Sequence, residues 1–327
     1  MKITRRTAAA LAGCLVAAAG LAGAGLTAAA AAPVSVGVYV PGGAGDPGEL
    51  DAFQARTGRA PVLVHSYKDW ERPPFEVAEL NAVWQRGSVP LISWEPWSWT
   101  DPGRSFPLRA IAEGRFDSYV RGAARTAAAW GNPIFLRFAH EMNGRWYPWG
   151  AVGANTPADY RDAWRHVVDV FYEEGARNVR WVWSPYASTI LPFRRYFPGD
   201  RWVHWAALDG FNWGATRGEW QSFSELFRKP YEALIRFTRR PVMIAETGSV
   251  EQGAAKPRWI SRALGHMLPR LNRIRAIVWW DDVHNDGPDF RLDTSSAALD
   301  ALRSGLAARR YRANRKVLLE TPRRLPR

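Results

Sequence analysis

The sequence predicts an α/β chain folded as a single (β/α)8 TIM barrel, and three observations carry that prediction. Eight short runs rich in β-branched and aromatic residues alternate with stretches of helical apolar spacing across about 270 residues, the repeat of parallel βα units. The chain is 47% apolar over 327 residues, enough to bury one large core. Carboxylates and indoles bunch where the runs end, and in such a barrel the βα loops at those ends form the open cleft.

The eight runs fall at residues 34–40, 61–67, 89–94, 133–141, 179–184, 206–212, 241–246 and 274–280. Between the fourth and fifth, Thr156 caps a helix, Pro157 takes its first turn and Asp159 completes a capping box. Tyr160, Ala163, Trp164, Val167, Val168 and Phe171 then form one apolar stripe that faces the barrel wall. Similar spacing marks helices at 75–84, 111–130, 223–237, 259–271 and 295–306. Residues 187–205 are rich in Pro, Arg and aromatics, so this connection is expected to be short or irregular.

The ends of the runs carry Glu95 with Trp94 and Trp97, His140 with Glu141, Asn212 with Trp213, Glu246, and Trp279 with Trp280. Glu141 closes the fourth run and Glu246 the seventh, on opposite sides of the mouth. Such a pair of carboxyls, walled by flat aromatic rings that stack on sugar C–H faces, is the chemistry of glycosidic bonds. By strand alternation Arg137 shares the inward face with Ala139 and Glu141, either as a donor to Glu246 or as a barrel-interior ion pair. Trp146 and Trp149 follow Glu141 in an aromatic loop and join Trp94, Trp97 and Trp213 as candidate sugar platforms, with Glu95 a candidate partner for a substrate hydroxyl.

The segments His140-Glu141-Met142-Asn143 with Trp146-Tyr147-Pro148-Trp149, Trp181-Val182-Trp183-Ser184-Pro185, Asp209-Gly210-Phe211-Asn212-Trp213, Ile244-Ala245-Glu246-Thr247-Gly248 and Val278-Trp279-Trp280 occur in that order. In them the chain resembles glycoside hydrolase family 26, the β-mannanases and related endo-glycanases, over residues 34 to 300. The resemblance implies Glu141 as general acid/base and Glu246 as nucleophile of a retaining mechanism, with the carboxyls about 5 to 5.5 Å apart. It also implies a hydrogen bond from His140 near the sugar 2-hydroxyl or the nucleophile, and Trp279 as the aromatic floor of the cleavage subsite. The family's sixth-strand tyrosine, which supports the nucleophile, has no counterpart: Phe211 lacks the hydroxyl and Trp213 is offset. Glu141 is expected to stay protonated through desolvation and the charge of Glu246, and Glu246 to need donors that keep it ionised.

Metal chemistry does not fit these residues. A His-Glu-x-x-His zinc site fails because Gly144 stands at the second histidine, and Asp281, Asp282, Asp286 and Asp289 lack calcium-loop spacing. No cofactor is expected. Mannan is the first substrate expected, mixed-linkage β-glucan the second. The alternative is a non-hydrolytic carbohydrate-binding or polymer-processing protein on the same barrel.

Three segments are expected: a secretory signal peptide at 1–32, the barrel domain at 33–309 and a basic tail at 310–327. Lys2, Arg5 and Arg6 precede an Ala/Leu/Gly run that ends in small residues before Pro33, a leader too short in its apolar part to span a membrane. The protein is therefore expected outside the cell. Leu11-Ala12-Gly13-Cys14 offers a second reading, a lipid on Cys14. Cys14 is the only cysteine, so after cleavage no disulfide supports the domain. Of the net charge of +13, about half lies in residues 309–327, where eight Lys or Arg face Glu320 alone. That distribution argues against a nucleic-acid partner and fits a solvated tail or one that meets an anionic wall polymer.

Overall fold

The computed structural model describes residues 32–101, 103–104, 106–188 and 192–320. The signal peptide, Cys14 and the last seven residues lie outside the described residues. Eight parallel strands close into a barrel in sequence order, β8 pairing back to β1. They are β1 (Ser35–Tyr39), β2 (Leu63–Asp69), β3 (Val89–Glu95), β4 (Ile134–Phe138), β5 (Val179–Trp183), β6 (Trp205–Asn212), β7 (Val242–Ser249) and β8 (Ile274–Trp280). The single (β/α)8 TIM barrel is thus the observed architecture.

The helices follow as α1 (Pro47–Thr57), α2 (Val77–Gln85), α3 (Leu108–Ala112), α4 (Asp117–Trp130), α5 (Pro157–Glu173), α6 (Phe223–Leu234), α7 (Ala255–Arg262), α8 (Leu268–Arg270), α9 (Ser296–Leu306) and α10 (Arg315–Glu320). A π-helical turn, Ala263–Met267, joins α7 to α8. The predicted capping box on α5 forms, Thr156 and Asp159 each bonding the other's backbone N–H. The connection after β5 holds only 3-10 turns at Phe193–Tyr196 and Asp200–Trp202, as its composition implies. Helix α1 had not been expected. Asp46 caps it and Pro47 starts it, but Leu50 and Phe53 are its only large apolar residues facing the core, too few for a visible stripe.

Inward and outward residues sort cleanly. Leu63, Leu91, Phe135, Val182, Ala207, Met243, Ala276 and Val278 fill the barrel, while Val64, Ile92, Leu136, Leu208, Ile244 and Ile277 face the helices. Gly37 is required where β1 crosses β2, because a Cβ there would lie 2.7 Å from that of Leu63.

The barrel domain extends past residue 309. Leu318 of α10 plugs the interior core from the strand N-terminal end, Tyr311 is buried, and the Val34 N–H donates to Arg310 O. Arg315 lies 3.7 Å over the ring of Trp84. Residues 310–320 are therefore barrel floor rather than solvated tail, because amphipathic packing, not net charge, sets the boundary.

Candidate active site

Strand β4 ends at Phe138, three residues before Glu141. Ala139 and Glu141 take φ of 46° and 51°, left-handed values that a non-glycine residue adopts at a cost of about 1 kcal/mol or more. Neighbouring bonds over-determine this turn: Ala139 N–H donates to Trp94 O (3.0 Å), Glu141 N–H to Ser184 O (2.7 Å), and Trp149 Nε1 to His140 O (2.6 Å). A sharp turn, and not strand alternation, delivers Glu141 to the mouth.

Gly144 lets the following loop fold back, since any Cβ there would collide with the Trp146 ring. The Trp146 indole, 48% exposed, then donates to Glu141 Oε2 at 2.6 Å. Glu141 is buried, and burial pushes its carboxyl well above the ordinary range, with the charges of Asp209 and Glu246 adding to the rise.

Glu246 arrives by a different device. The β6–β7 register pairs Leu208 with Ile244 but Asp209 with Glu246, so Ala245 is the extra residue of a bulge. Met243 and Ala245 both face the interior, and without the bulge Glu246 would point at the helices. Instead it meets Arg137, whose Nη1 donates to Glu246 Oε1 at 2.5 Å. The other arm of the same guanidinium donates to Asp209 Oδ2 at 2.6 Å and to Ser184 Oγ at 3.3 Å. Both roles open to Arg137 are thus filled at once. Burial opposes its charge, and the carboxylates of Asp209 and Glu246 more than offset that opposition. Burial also pushes Asp209 up to about 7, against the pull of Arg137.

Several residues around this core lie at strand ends but had no individual role assigned from sequence. His65 Nε2 sits 2.7 Å from Ser93 Oγ and 3.9 Å from Glu246 Oε1. Burial and the neighbouring Arg137 charge hold its pKa well below 6.5, so it is neutral. Tyr67 lies beside Glu246; desolvation, helped by the Glu246 charge, raises the phenol pKa, and the Tyr67 hydroxyl accepts Trp280 Nε1 at 3.2 Å. Strand parity was the available signal: Leu63, His65 and Tyr67 share one face of β2, and Ala207, Asp209 and Phe211 one face of β6.

Glu95 is buried beside this group, accepting Trp97 Nε1 at 2.9 Å and Trp99 Nε1 at 2.7 Å. Burial raises it to about 7 despite those two donors. His140 stands 3.9 Å from Glu95 Oε1, neutral through burial, and its Nδ1 has no hydrogen-bond partner among the described residues. It is aligned with Glu95 and not with the nucleophile candidate.

The expected aromatic platforms divide. Trp146 and Trp213 stand at the mouth, Trp213 tilted at 52° to Phe211 and covered by Arg217 at 3.8 Å. Trp97 is half-buried, its indole N–H held by Glu95. Trp149 is buried and stacked on Tyr147 at 4.3 Å, one layer behind the surface. Trp94 faces away from the cleft into the helix layer, against Trp70 and Phe171. Asn212 also turns out of the cleft and ties the loop after β6, bonding Ser249 Oγ and accepting the Gly214 and Gln221 N–H groups.

Trp279 needs the largest correction. It is 1% exposed and packs edge-on against Trp259 of α7, because β8 turns alternate residues outward and Val278 is already inward. Trp280 is the aromatic that reaches the cleft, stacked on Tyr39 at 5.2 Å and 15° and bonded to Tyr67. In the loop after β8, Asp281 is taken up by Arg56 (2.9 Å) and the Leu292 N–H (2.6 Å). Among the described residues no helix is long and apolar enough to cross a membrane, and no group of three or more His, Cys, Asp or Glu could hold a metal ion.

Comparison with known proteins gives a consistent picture. Residues 121–230 match Glycosyl hydrolase family 26. The Endoglucanase H of Acetivibrio thermocellus is 35% identical over 270 residues, 79% of this chain, which spans 29% of that protein's length. The Mannan endo-1,4-beta-mannosidase A and B of Caldalkalibacillus mannanilyticus is 38% identical over 90 residues, 25% of this chain and 17% of that one. Among solved structures, the catalytic domain of a GH26 endo-β-1,4-mannanase from Bacillus sp. JAMB-750 superposes with a TM-score of 0.67 over 87% of this chain and 88% of its own, at 15% identity.

Proposed function

Because the chain belongs to glycosyl hydrolase family 26, we propose that it is a retaining endo-β-glycanase acting on a β-1,4-linked polysaccharide. One observation carries the reading: two carboxyls share a buried mouth in opposite settings, Glu141 pushed towards its acid form and Glu246 clamped by the Arg137 guanidinium. Glu246 attacks the anomeric carbon while Glu141 protonates the departing oxygen. Glu141 then takes a proton from water, which releases the sugar from Glu246. Trp146 holds Glu141 in place by its indole N–H, and His65, Arg137 and Tyr67 surround Glu246.

The non-hydrolytic reading drew on the absent sixth-strand hydroxyl. Tyr67 of β2 places a hydroxyl near Glu246 from another strand, which favours a working nucleophile. For substrate, one relative matched over most of this chain is an endoglucanase, whereas a mannosidase with a higher identity matches a quarter of it. That balance favours a β-glucan backbone, with mannan next. A polymer too large to enter a cell also fits the signal-like N-terminus, and export is part of this proposal.

Reducing-sugar release from β-glucan, mannan and xylan tests substrate. Glu246→Ala should lower hydrolysis by several orders of magnitude in a folded protein, and azide should restore part of the turnover with inverted product configuration. Near-normal activity in that variant would overturn the assignment.

A further inference from the structure

The geometry points to a second carbohydrate site on the outside of the barrel, a groove between α6 and the α7–π–α8 segment that takes an acidic polysaccharide. It lies apart from the catalytic carboxyls and goes beyond the hydrolytic reading. The groove encloses about 610 Å³. Arg258, Arg262, His266 and Arg270 line one wall, each exposed and each four residues from the next. Helical rise puts such neighbours about 6 Å apart, close to one basic group per sugar along a fully charged uronan. The π-turn Ala263–Met267 widens the backbone in mid-stripe, an irregularity that recurs at functional sites.

Like charges at this spacing destabilise their own helix, and no lining residue is acidic to relieve them. Arg258 and Arg262 make no ion pair among the described residues, and Arg270 donates only to His266 O within its own helix. A stripe left uncompensated by its own fold is matched by a ligand carrying regularly spaced anions. The opposite wall and floor are Trp220, Phe223, Trp259 and Met267, rings and a thioether. Half-buried Trp220 lines the groove with an aromatic ring on which a sugar can stack, which an acidic peptide would not need.

Trp220 is also shared with a neighbouring cavity of about 340 Å³ that begins at Trp213. Trp213 packs against Trp280 through Phe290 at the catalytic mouth. Glu219 and Glu225 also line that neighbouring cavity, so a polyanion is confined to the basic groove, where Trp220 supplies the aromatic contact.

The test uses the full chain and polygalacturonate as probe, with polyglutamate and neutral dextran for comparison, read by affinity electrophoresis at low and high salt. Wild type should bind polygalacturonate, weaken as salt rises, and ignore dextran. The triple variant Arg258→Ser, Arg262→Ser, Arg270→Ser should lose at least about tenfold in affinity while its hydrolysis of a soluble neutral β-glycan stays unchanged. Trp220→Ala should weaken polygalacturonate but leave polyglutamate unaffected. Equal binding of both polyanions with no effect of Trp220→Ala would mean unspecific charge and overturn the proposal, as would a triple variant that binds like wild type. Hydrolysis is read separately, so an inactive enzyme would overturn the catalytic reading without touching this one.

Discussion

Replacing Arg137 by Met should damage the protein in a way that depends on pH, and the network around it sets the size. One guanidinium, fully buried, is bonded to two carboxylates, Asp209 at 2.6 Å and Glu246 at 2.5 Å. Met fills a similar volume but leaves both acids without their cation. Removing one partner of a buried ion pair costs about 3–5 kcal/mol, because the remaining charge is desolvated and unpaired. At about 2–4 °C per kcal/mol for a domain of this size, Tm should fall by roughly 6–20 °C near neutral pH.

The sign of the pH effect follows from the carboxyls. Asp209 already stands at about 7 in the folded state against 3.8 unfolded, and losing Arg137 raises it further. A group whose folded pKa is raised contributes most stability below its unfolded pKa and loses that contribution as pH rises through the folded one. The variant's deficit relative to wild type should therefore be small near pH 4 to 5 and grow through pH 7 and above. Thermal melts of both proteins from pH 4.5 to 8.5 measure it, with Arg137→Lys as an intermediate that keeps the charge but not the fork. A deficit that is the same at every pH would show that Arg137 acts through packing, and the electrostatic account would fall.

Glu141 should give kcat/KM an alkaline limb well above the ordinary carboxyl range, since activity is lost as the raised acid deprotonates. Glu141→Ala should remove that limb on an activated aryl glycoside, whose leaving group needs no proton; an unchanged limb would assign it to another group. Trp280→Ala should cost about 5- to 30-fold in kcat/KM with little loss of stability, as expected for about 1–2 kcal/mol of cleft stacking. Trp279→Ala should cost about 3–5 kcal/mol of stability and leave the kinetics of the folded fraction intact. Reversal of those two results would restore Trp279 to the cleft. Deleting residues 310–327 should lower Tm sharply, and Leu318→Ala alone should cost about 2–5 kcal/mol, because both open the barrel floor.

Period and composition were enough to read the barrel, because each of its repeats had to bury a strand on both faces and a helix on one. The site was less legible, for a reason that lies in its backbone. Alternation correctly turned Arg137 inward, since β4 is regular up to Phe138. The family resemblance, not alternation, assigned Trp279 to the cleft; alternation from inward Val278 turns Trp279 towards the helices and Trp280 to the mouth.

The two catalytic candidates sit where the backbone breaks its own period. Glu141 follows a left-handed turn at Ala139, and Glu246 follows a bulge at Ala245. Neither break is marked by glycine, the usual signature of such conformations. Alanine at both points is compatible with strain held by the surrounding bonds, such as Ala139 N–H to Trp94 O and Glu141 N–H to Ser184 O. Those bonds come from β3 and the end of β5, so the information that aims Glu141 is distributed over three strands and cannot be read from the segment that contains it. The same holds for Glu246, whose inward turn exists only because Asp209 on β6 pairs with it. A substitution that restores regular pairing at either point would re-aim a carboxyl while leaving both candidate glutamates in the sequence, so the irregular backbone is part of what positions the proposed chemistry.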